Sequence, residues 1–239
     1  MKVLFAIYKV WIGLVFWLSL LLLYPFFKFF ISKEKWYPKV FWLKKMWSKI
    51  IRILIFCPIK IEKETDFPKA PYIVVSNHSS YLDTVFMFSV VPDYFLFMGK
   101  GELLKWPLFK MFFKKMDIPV YRENLRHAYG AYHKCNEALQ RDECIALYPE
   151  GVISEQSPTM LRFKNGAFKM AIENQVPIVP ISWRTNYKIL CVAEKMFSYS
   201  SPTTIRVKVH TPINTKGMDE QQISTLRDLT FNIIQEGVK

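Results

Sequence analysis

His78 and Asp83 are the residues of this sequence whose types and spacing best suit acid–base chemistry. The apolar run at residues 72–76 predicts a buried strand and the residues from Tyr81 onward predict a helix, so His78 falls on a strand-to-helix turn. Groups at the carboxyl ends of strands in such folds face the ligand crevice. Asp83, on the first turn of the helix, can accept the Nδ1–H of His78 and leave Nε2 as a base. The spacing predicts a general base and its orienting carboxylate, although one such pair also fits a solvated turn with a helix-capping aspartate.

Further segments in a fixed order decide between these alternatives. They are Lys100-Gly101-Glu102-Leu103 continuing to Pro107, Ile118-Pro119-Val120-Tyr121-Arg122, Tyr148-Pro149-Glu150-Gly151 and Val176-Pro177-Ile178-Val179-Pro180. Together with residues 77–83 they resemble the glycerophospholipid acyltransferase family, membrane enzymes that acylate glycerol 3-phosphate, lysophosphatidate and related lipids. The resemblance covers roughly residues 71–212, which is more than half of the chain.

The resemblance also implies which residues bind the substrates. It assigns this role to Asn77, Lys100, Arg122, Glu150 and Gly151, with the two cations on the phosphate of the acyl acceptor. The planar fork of arginine suits a phosphate monoester, and glycine lets the backbone approach a ligand closely. The alternative for both cations is that they are solvated charges at strand ends.

Two positions depart from the family pattern. The loop after Glu150 continues with Val152 and Ile153, where the family usually has threonine and then arginine, and Met116 stands where a glycine is usual. Neither change touches the histidine and aspartate pair, but the loss of one cation leaves the head group of the acceptor open. Arg162 and Lys164, in the segment that leads into the next helix, are candidates to supply the missing charge.

The reaction that the resemblance implies is transfer of a fatty acyl group from acyl-CoA or acyl carrier protein to 1-acyl-glycerol 3-phosphate, which gives phosphatidate. The sequence has no Gly-x-Ser-x-Gly elbow, so direct attack by the acceptor hydroxyl is favoured over an acyl-enzyme. No metal or redox cofactor is implied. The alternatives are a different lysolipid acceptor, such as a lyso-aminolipid or another lysophospholipid, and a non-catalytic membrane-binding protein that kept the fold.

The composition indicates an anionic lipid surface as a partner. The chain of 239 residues is 51% apolar and carries a net charge of +13, which fits either nucleic acid or an anionic membrane. Residues 10–27 are uncharged and span about 27 Å as a helix, close to the thickness of a bilayer core. Nine basic residues and one acid follow between Lys28 and Lys60. Such a juxtamembrane segment excludes nucleic acid as the expected partner and places the catalytic domain on the cytoplasmic side of a membrane.

The four cysteines have neither C-x-x-C spacing nor paired histidines, so we expect no metal site and no disulfide. Free thiols agree with a reducing compartment. We expect the other three histidines to be structural. The residues concerned are Cys57, Cys135, Cys144, Cys191, His127, His133 and His210.

The pattern of elements predicts an α/β sandwich around a largely parallel sheet, preceded by membrane-associated helices. Residues 1–58 form the predicted anchor and a basic amphipathic helix, for which a core helix with one solvated side is the alternative. Residues 59–239 form the predicted acyltransferase domain, which ends in a helix. Predicted strands lie at residues 72–76, 94–98, 118–121, 144–148, 178–182, 189–193 and 205–211, and predicted helices at 81–90, 102–114, 124–140, 166–174 and 218–237.

Overall fold

Helices and strands alternate along most of the chain in a computed structural model that describes residues 1–121, 125–191 and 194–239. The helices are α1 (Lys2–Phe30), α2 (Tyr37–Leu54), α3 (Asp83–Val90), α4 (Pro107–Lys115), α5 (Leu125–Gln140), α6 (Gly166–Glu173), α7 (Asn186–Leu190) and α8 (Ile223–Val238). Short 3₁₀ turns occupy Glu34–Trp36, Gly101–Lys105 and Glu220–Gln222. The predicted start of a helix at residue 124 lies outside the described residues.

The strands form a single mixed sheet. They are β1 (Ile59–Lys63), β2 (Ile73–Ser76), β3 (Phe95–Lys100), β4 (Ile118–Val120), β5 (Cys144–Leu147), β6 (Ile178–Trp183) and β7 (Ile205–Val209), in the order β1-β7-β6-β2-β5-β3-β4. Neighbouring strands are parallel except β6 and β7. The predicted α/β class with a largely parallel sheet is confirmed.

The central strand β2 positions the loop that follows it. Its residues alternate between two apolar cores, with Val74 in the core that also contains α1 to α4 and with Ile73 and Val75 in the core that also contains α5, α6 and α8. Val75 pairs with Leu147 of β5 and Ser76 with Ile181 of β6. Because these strands are parallel, the loops after β2, β5 and β6 emerge at the same edge of the sheet.

One predicted strand is wrong. Residues 189–193 do not continue the sheet, because Ile189 and Leu190 are buried within helix α7, and residues 192–193 are outside the described part. The carbonyl groups of Ile189 and Leu190 accept hydrogen bonds from the hydroxyls of Ser200 and Ser80 rather than from a neighbouring strand. An apolar run of this length fits a buried helix as well as a strand, and tertiary contacts decide between them.

Strand β1 was not predicted. Its sequence Ile-Lys-Ile-Glu-Lys alternates apolar and charged residues, as an edge strand does. Its lysines make it look like a continuation of the basic segment before it.

The predicted helix at 102–114 is divided in the structure. A 3₁₀ turn comes first, and α4 then begins at Pro107, where proline fits the first helical turn.

Helix α2 packs one of its sides into the core of the domain. Its residues Val40, Leu43, Trp47 and Ile51 are buried, and the indole of Trp47 donates a 2.8 Å hydrogen bond to Ser19 of α1. The ammonium of Lys44 lies 2.9 Å from the carboxylate of Asp117, a buried ion pair. Lys45 donates to the carbonyl of Pro92. The outer side of α2 is partly apolar, with exposed Trp42, Met46, Ile53 and Leu54.

Helix α1 lies along the domain with one side packed and the other exposed. Ile12, Leu20 and Phe27 are buried on the packed side of α1. Trp17 stacks on Trp106, with ring centroids 5.5 Å apart. Among the described residues, α1 is the helix that is long and apolar enough to cross a membrane by length and composition. The large apolar side chains on its exposed side are Val3, Leu4, Ile7, Val10, Trp11, Leu14, Trp17, Leu18, Leu21, Leu22, Phe26 and Phe29.

Candidate active site

The turn after β2 brings His78 and Asp83 together as the spacing predicts. Nδ1 of His78 lies 3.1 Å from Oδ2 of Asp83, the first residue of α3. The same oxygen accepts the backbone N–H groups of Ser79 at 2.7 Å and Ser80 at 2.8 Å. Asp83 is fully buried, whereas the imidazole of His78 remains 16% exposed. The carboxylate therefore shapes the turn and orients the ring through Nδ1, and Nε2 is the ring nitrogen that it does not contact.

The second oxygen of Asp83 accepts a hydrogen bond from Asn186, a residue that the sequence motifs do not include. The amide nitrogen of Asn186, on the first turn of α7, donates to Oδ1 of Asp83 at 2.8 Å, and both side chains are buried. At the other end of α7, the Leu190 carbonyl accepts the hydroxyl of Ser80 at 2.6 Å. Helix α7 therefore holds the turn after β2 at two points. No local pattern signals this contact, since Asn186 is 103 positions from Asp83.

Tyr148, at the end of β5, covers one face of the His78 ring. The two rings are stacked, with centroids 4.0 Å apart and planes 12° from parallel. This contact limits rotation of the imidazole, so its orientation is fixed by packing as well as by Asp83. Tyr148 begins the motif at residues 148–151, but the motif does not predict its contact with His78.

Glu150 joins the loop after β5 to the turn after β2 that carries His78. Its Oε1 accepts the backbone N–H of His78 at 2.7 Å, and its Oε2 accepts the N–H of Leu161 at 2.7 Å. Burial raises the pKa of Glu150 to about 7, against the opposing effect of these two hydrogen bonds. The family resemblance implies that this carboxylate contacts a substrate. Both of its oxygens instead hold protein backbone, which makes Glu150 a positioning residue in this structure.

Gly151 and Asn77 complete the frame of the site. Gly151 has a φ of +83°, a conformation that glycine adopts without strain, and its N–H donates to the carbonyl of Tyr148. The amide of Asn77 pairs with the backbone of Trp183 on β6, donating at 3.1 Å and accepting at 2.8 Å. Where the sequence predicts a substrate contact for Asn77, the structure shows a link between β2 and β6.

Of the two cations predicted to bind the phosphate of the acceptor, the structure describes one. Lys100 is exposed at the end of β3, at the same edge of the sheet, and has no ion-pair partner among the described residues. Arg122 lies outside the described residues.

Close packing explains the glycine at position 101, since a Cβ there would come within 2.8 Å of the Tyr121 ring. The described residues contain no group of three or more His, Cys, Asp or Glu side chains that could hold a metal ion.

The acyltransferase family model matches residues 58–184, which is more than half of the chain and includes His78 and Asp83. The chain belongs to the acyltransferase family, which agrees with the family predicted from the motifs.

Individual relatives of the chain have names that are more specific than that of the family. The chain is 32% identical over 164 residues to 1-acyl-sn-glycerol-3-phosphate acyltransferase alpha of Mus musculus, covering 67% of this chain and 56% of that relative. It is 29% identical over 176 residues to the chloroplastic 1-acyl-sn-glycerol-3-phosphate acyltransferase LPAT1 of Arabidopsis thaliana, covering 72% of this chain and 48% of that relative. The chain thus spans about half the length of the curated relatives it matches.

A solved structure has the same fold over the whole chain. The crystal structure of the 1-acyl-sn-glycerophosphate acyltransferase PlsC from Thermotoga maritima superposes with a TM-score of 0.77 at 23% identity. The match covers 100% of this chain and 96% of that one. The N-terminal helices are therefore included in the shared architecture.

Proposed function

We propose that this protein transfers a fatty acyl group from acyl-CoA or acyl carrier protein to the free hydroxyl of 1-acyl-glycerol 3-phosphate, which gives phosphatidate. The observation that carries the proposal is the His78 ring, oriented by a buried carboxylate at 3.1 Å and partly exposed at the edge of the sheet. Relatives named as 1-acyl-sn-glycerol-3-phosphate acyltransferases support the choice of acceptor. The exposed Lys100 at the same edge provides a cation for its phosphate.

The proposed mechanism is direct transfer. Nε2 of His78 takes the proton from the acceptor hydroxyl as its oxygen attacks the thioester carbonyl carbon, and the carbonyl electrons move onto oxygen. Asp83 stabilises the imidazolium that forms. The tetrahedral intermediate then collapses, the C–S bond breaks, and the thiolate leaves with the proton from His78. The acyl group ends on the acceptor as an ester.

Mass spectrometry of the products tests this function. Purified protein in mixed micelles is offered lysophosphatidate, other lysophospholipids and a lyso-aminolipid, each with acyl-CoA or with acyl carrier protein. We expect phosphatidate as the main product. A product with another head group would overturn the acceptor assignment and keep the enzyme class. No product from any pair would favour a non-catalytic membrane-binding protein.

We further propose that the protein is bound to a membrane through α1, with its catalytic domain on the cytoplasmic side. The continuous apolar side of α1 supports hydrophobic insertion, and the exposed Lys39 and Lys49 on α2 support attraction to anionic lipid. Salt screens charge attraction but not hydrophobic insertion.

The full-length protein is therefore expected to stay with membranes through a high-salt wash and to leave only in detergent. Replacing Leu14, Leu18 and Leu22 together with lysine should release it, because these side chains are 49%, 56% and 75% exposed and their loss does not open the core. Leu229→Lys, at an exposed position of α8, is the matched control and should stay bound. Release of the unmodified protein by salt alone would contradict the membrane anchor. Immunoblotting of pellet and supernatant gives the measurement.

A further inference from the structure

A cleft of about 240 Å³ lies beside the active-site loop and is not used by the mechanism above. It separates the segment before α6 from helix α8. Two arginines, one carboxylate and two phenyl rings line it, and these residues are Arg162, Phe163, Arg227, Asp228 and Phe231. Phe163 and Phe231 meet edge to face with centroids 5.0 Å apart. The cleft therefore has an apolar wall and a charged opening.

The two arginines differ in what holds them. Arg227 is fixed, since Nη1 donates to the side-chain oxygen of Asn165 at 2.8 Å and its Nε and Nη2 donate to Asp228 at 2.7 and 3.1 Å. The side chain of Asp228 is 63% exposed and that of Arg227 is 13% exposed, so Arg227 forms the inner end of the cleft. Arg162 is exposed and makes no hydrogen bond or ion pair with the described residues. Contact with Arg227, together with the nearby charge of Arg162, lowers the pKa of Asp228.

The backbone places this cleft next to the reacting groups. Leu161, the neighbour of Arg162, donates its N–H to one oxygen of Glu150, and the other oxygen accepts the N–H of His78. Lys164 donates its N–H to the carbonyl of Pro149 at 3.0 Å. The segment that carries Arg162 is therefore fastened alongside the catalytic turn.

The loop after Glu150 carries no cation at residues 152–153. Ile153 provides none in the loop after Glu150, and its neighbour Val152 is 55% exposed. Helix α6 begins at Gly166, with Asn165 as its N-cap residue, so the positive end of its dipole adds to the field of the two guanidinium groups. Arginine forks bind phosphate in a bidentate manner.

We propose that the cleft between Arg162 and Arg227 binds a phosphoryl group of a substrate. The proposal rests on the acyl transfer proposed above for the identity of the ligand. Two sources present this chemistry, namely the phosphate monoester of the acceptor and the nucleotide phosphates of coenzyme A. Phe163 and Phe231 form the apolar wall for the carbon skeleton attached to that group.

Direct binding of soluble probes tests the site without catalysis. Glycerol 3-phosphate and adenosine 3′,5′-bisphosphate are titrated by calorimetry into the full-length protein in detergent. Arg162→Ala should weaken binding of one probe by roughly 10- to 100-fold, because one charge-assisted pair contributes about 1.5 to 3 kcal/mol. The matched control is Arg141→Ala, which removes an exposed arginine paired with Glu143 and should leave binding unchanged. Arg162→Lys should recover part of the affinity.

Steady-state kinetics then identify the source of the phosphate. If the acceptor supplies it, Arg162→Ala raises the KM for lysophosphatidate and leaves the KM for acyl-CoA unchanged. If coenzyme A supplies it, the KM for acyl-CoA rises while that for acyl-pantetheine, which lacks the nucleotide, does not. Unchanged binding of both probes and unchanged KM values would overturn the site and leave the proposed function intact. Binding that depends on Arg162 in a protein without transfer activity would uphold the site and overturn the function.

Discussion

His78→Ala is expected to lower the rate of acyl transfer by roughly 10²- to 10⁴-fold, the usual contribution of a general base. The imidazole lies in a loop at the edge of the sheet and is partly exposed, so its removal takes little from either core. The hydrogen bonds that shape the turn remain, because Asp83 still accepts the N–H groups of Ser79 and Ser80. Initial rates measured at saturating acceptor, with a thermal melt of each protein, give the result.

His133→Ala is the control for this substitution. His133 is exposed on α5, and the structure gives it no role at the turn, so this variant should keep wild-type rates. If His78→Ala retained most of the activity while its melting temperature stayed unchanged, another group would have to accept the proton of the hydroxyl.

Asp83→Asn is expected to cost roughly 10²-fold or more in rate while preserving the turn. An asparagine oxygen in place of Oδ2 can accept the bonds from His78, Ser79 and Ser80. Its amide group then faces Asn186, whose side-chain oxygen has no hydrogen-bond partner among the described residues and can turn to receive it. The substitution thus removes the negative charge that stabilises the imidazolium and little else. The kcat of the folded protein measures this loss.

Asp117→Asn separates catalysis from stability. This substitution also removes a carboxylate charge, because Asp117 forms a buried ion pair with Lys44. Asp117 does not contact the turn that carries His78. We expect a lower melting temperature, since a buried ammonium is left without its partner, and an unchanged kcat per folded molecule. Equal kcat values for the wild type and Asp83→Asn would show that the charge of Asp83 is not used.

The sequence predicts that His78 and Asp83 form a pair because the two residues are close together in the chain. Five positions separate His78 from Asp83, and the apolar run of β2 and the start of α3 are enough to place both on one turn. Parallel strands that are buried on both faces have near-continuous apolar sequences. For this reason the predicted bounds of β2, β5 and β6 agree closely with those in the structure.

Contacts between distant segments were not predictable in this way. The bond from Asn186 to Asp83, the stacking of Tyr148 on His78 and the hold of Glu150 on two loops all depend on which strands become neighbours. The sequence predicts a motif at Glu150 but not that its oxygens would be occupied by backbone. Likewise, periodicity shows that α2 has an apolar stripe but not whether lipid or protein covers it.

The packing of α1 and α2 into the same core as α3 has a consequence for how the protein meets its lipid. The apolar helices are fixed to the turn that carries His78 rather than tethered to it, since the Trp47 to Ser19 bond joins α2 to α1 and the Lys44 to Asp117 pair joins α2 to the rest of the domain. On the proposed membrane, the height and tilt of His78 above the bilayer are then set by side-chain packing. Encounter with the acceptor is reduced to lateral diffusion in a plane, so the rate follows the surface density of lysolipid rather than its bulk concentration.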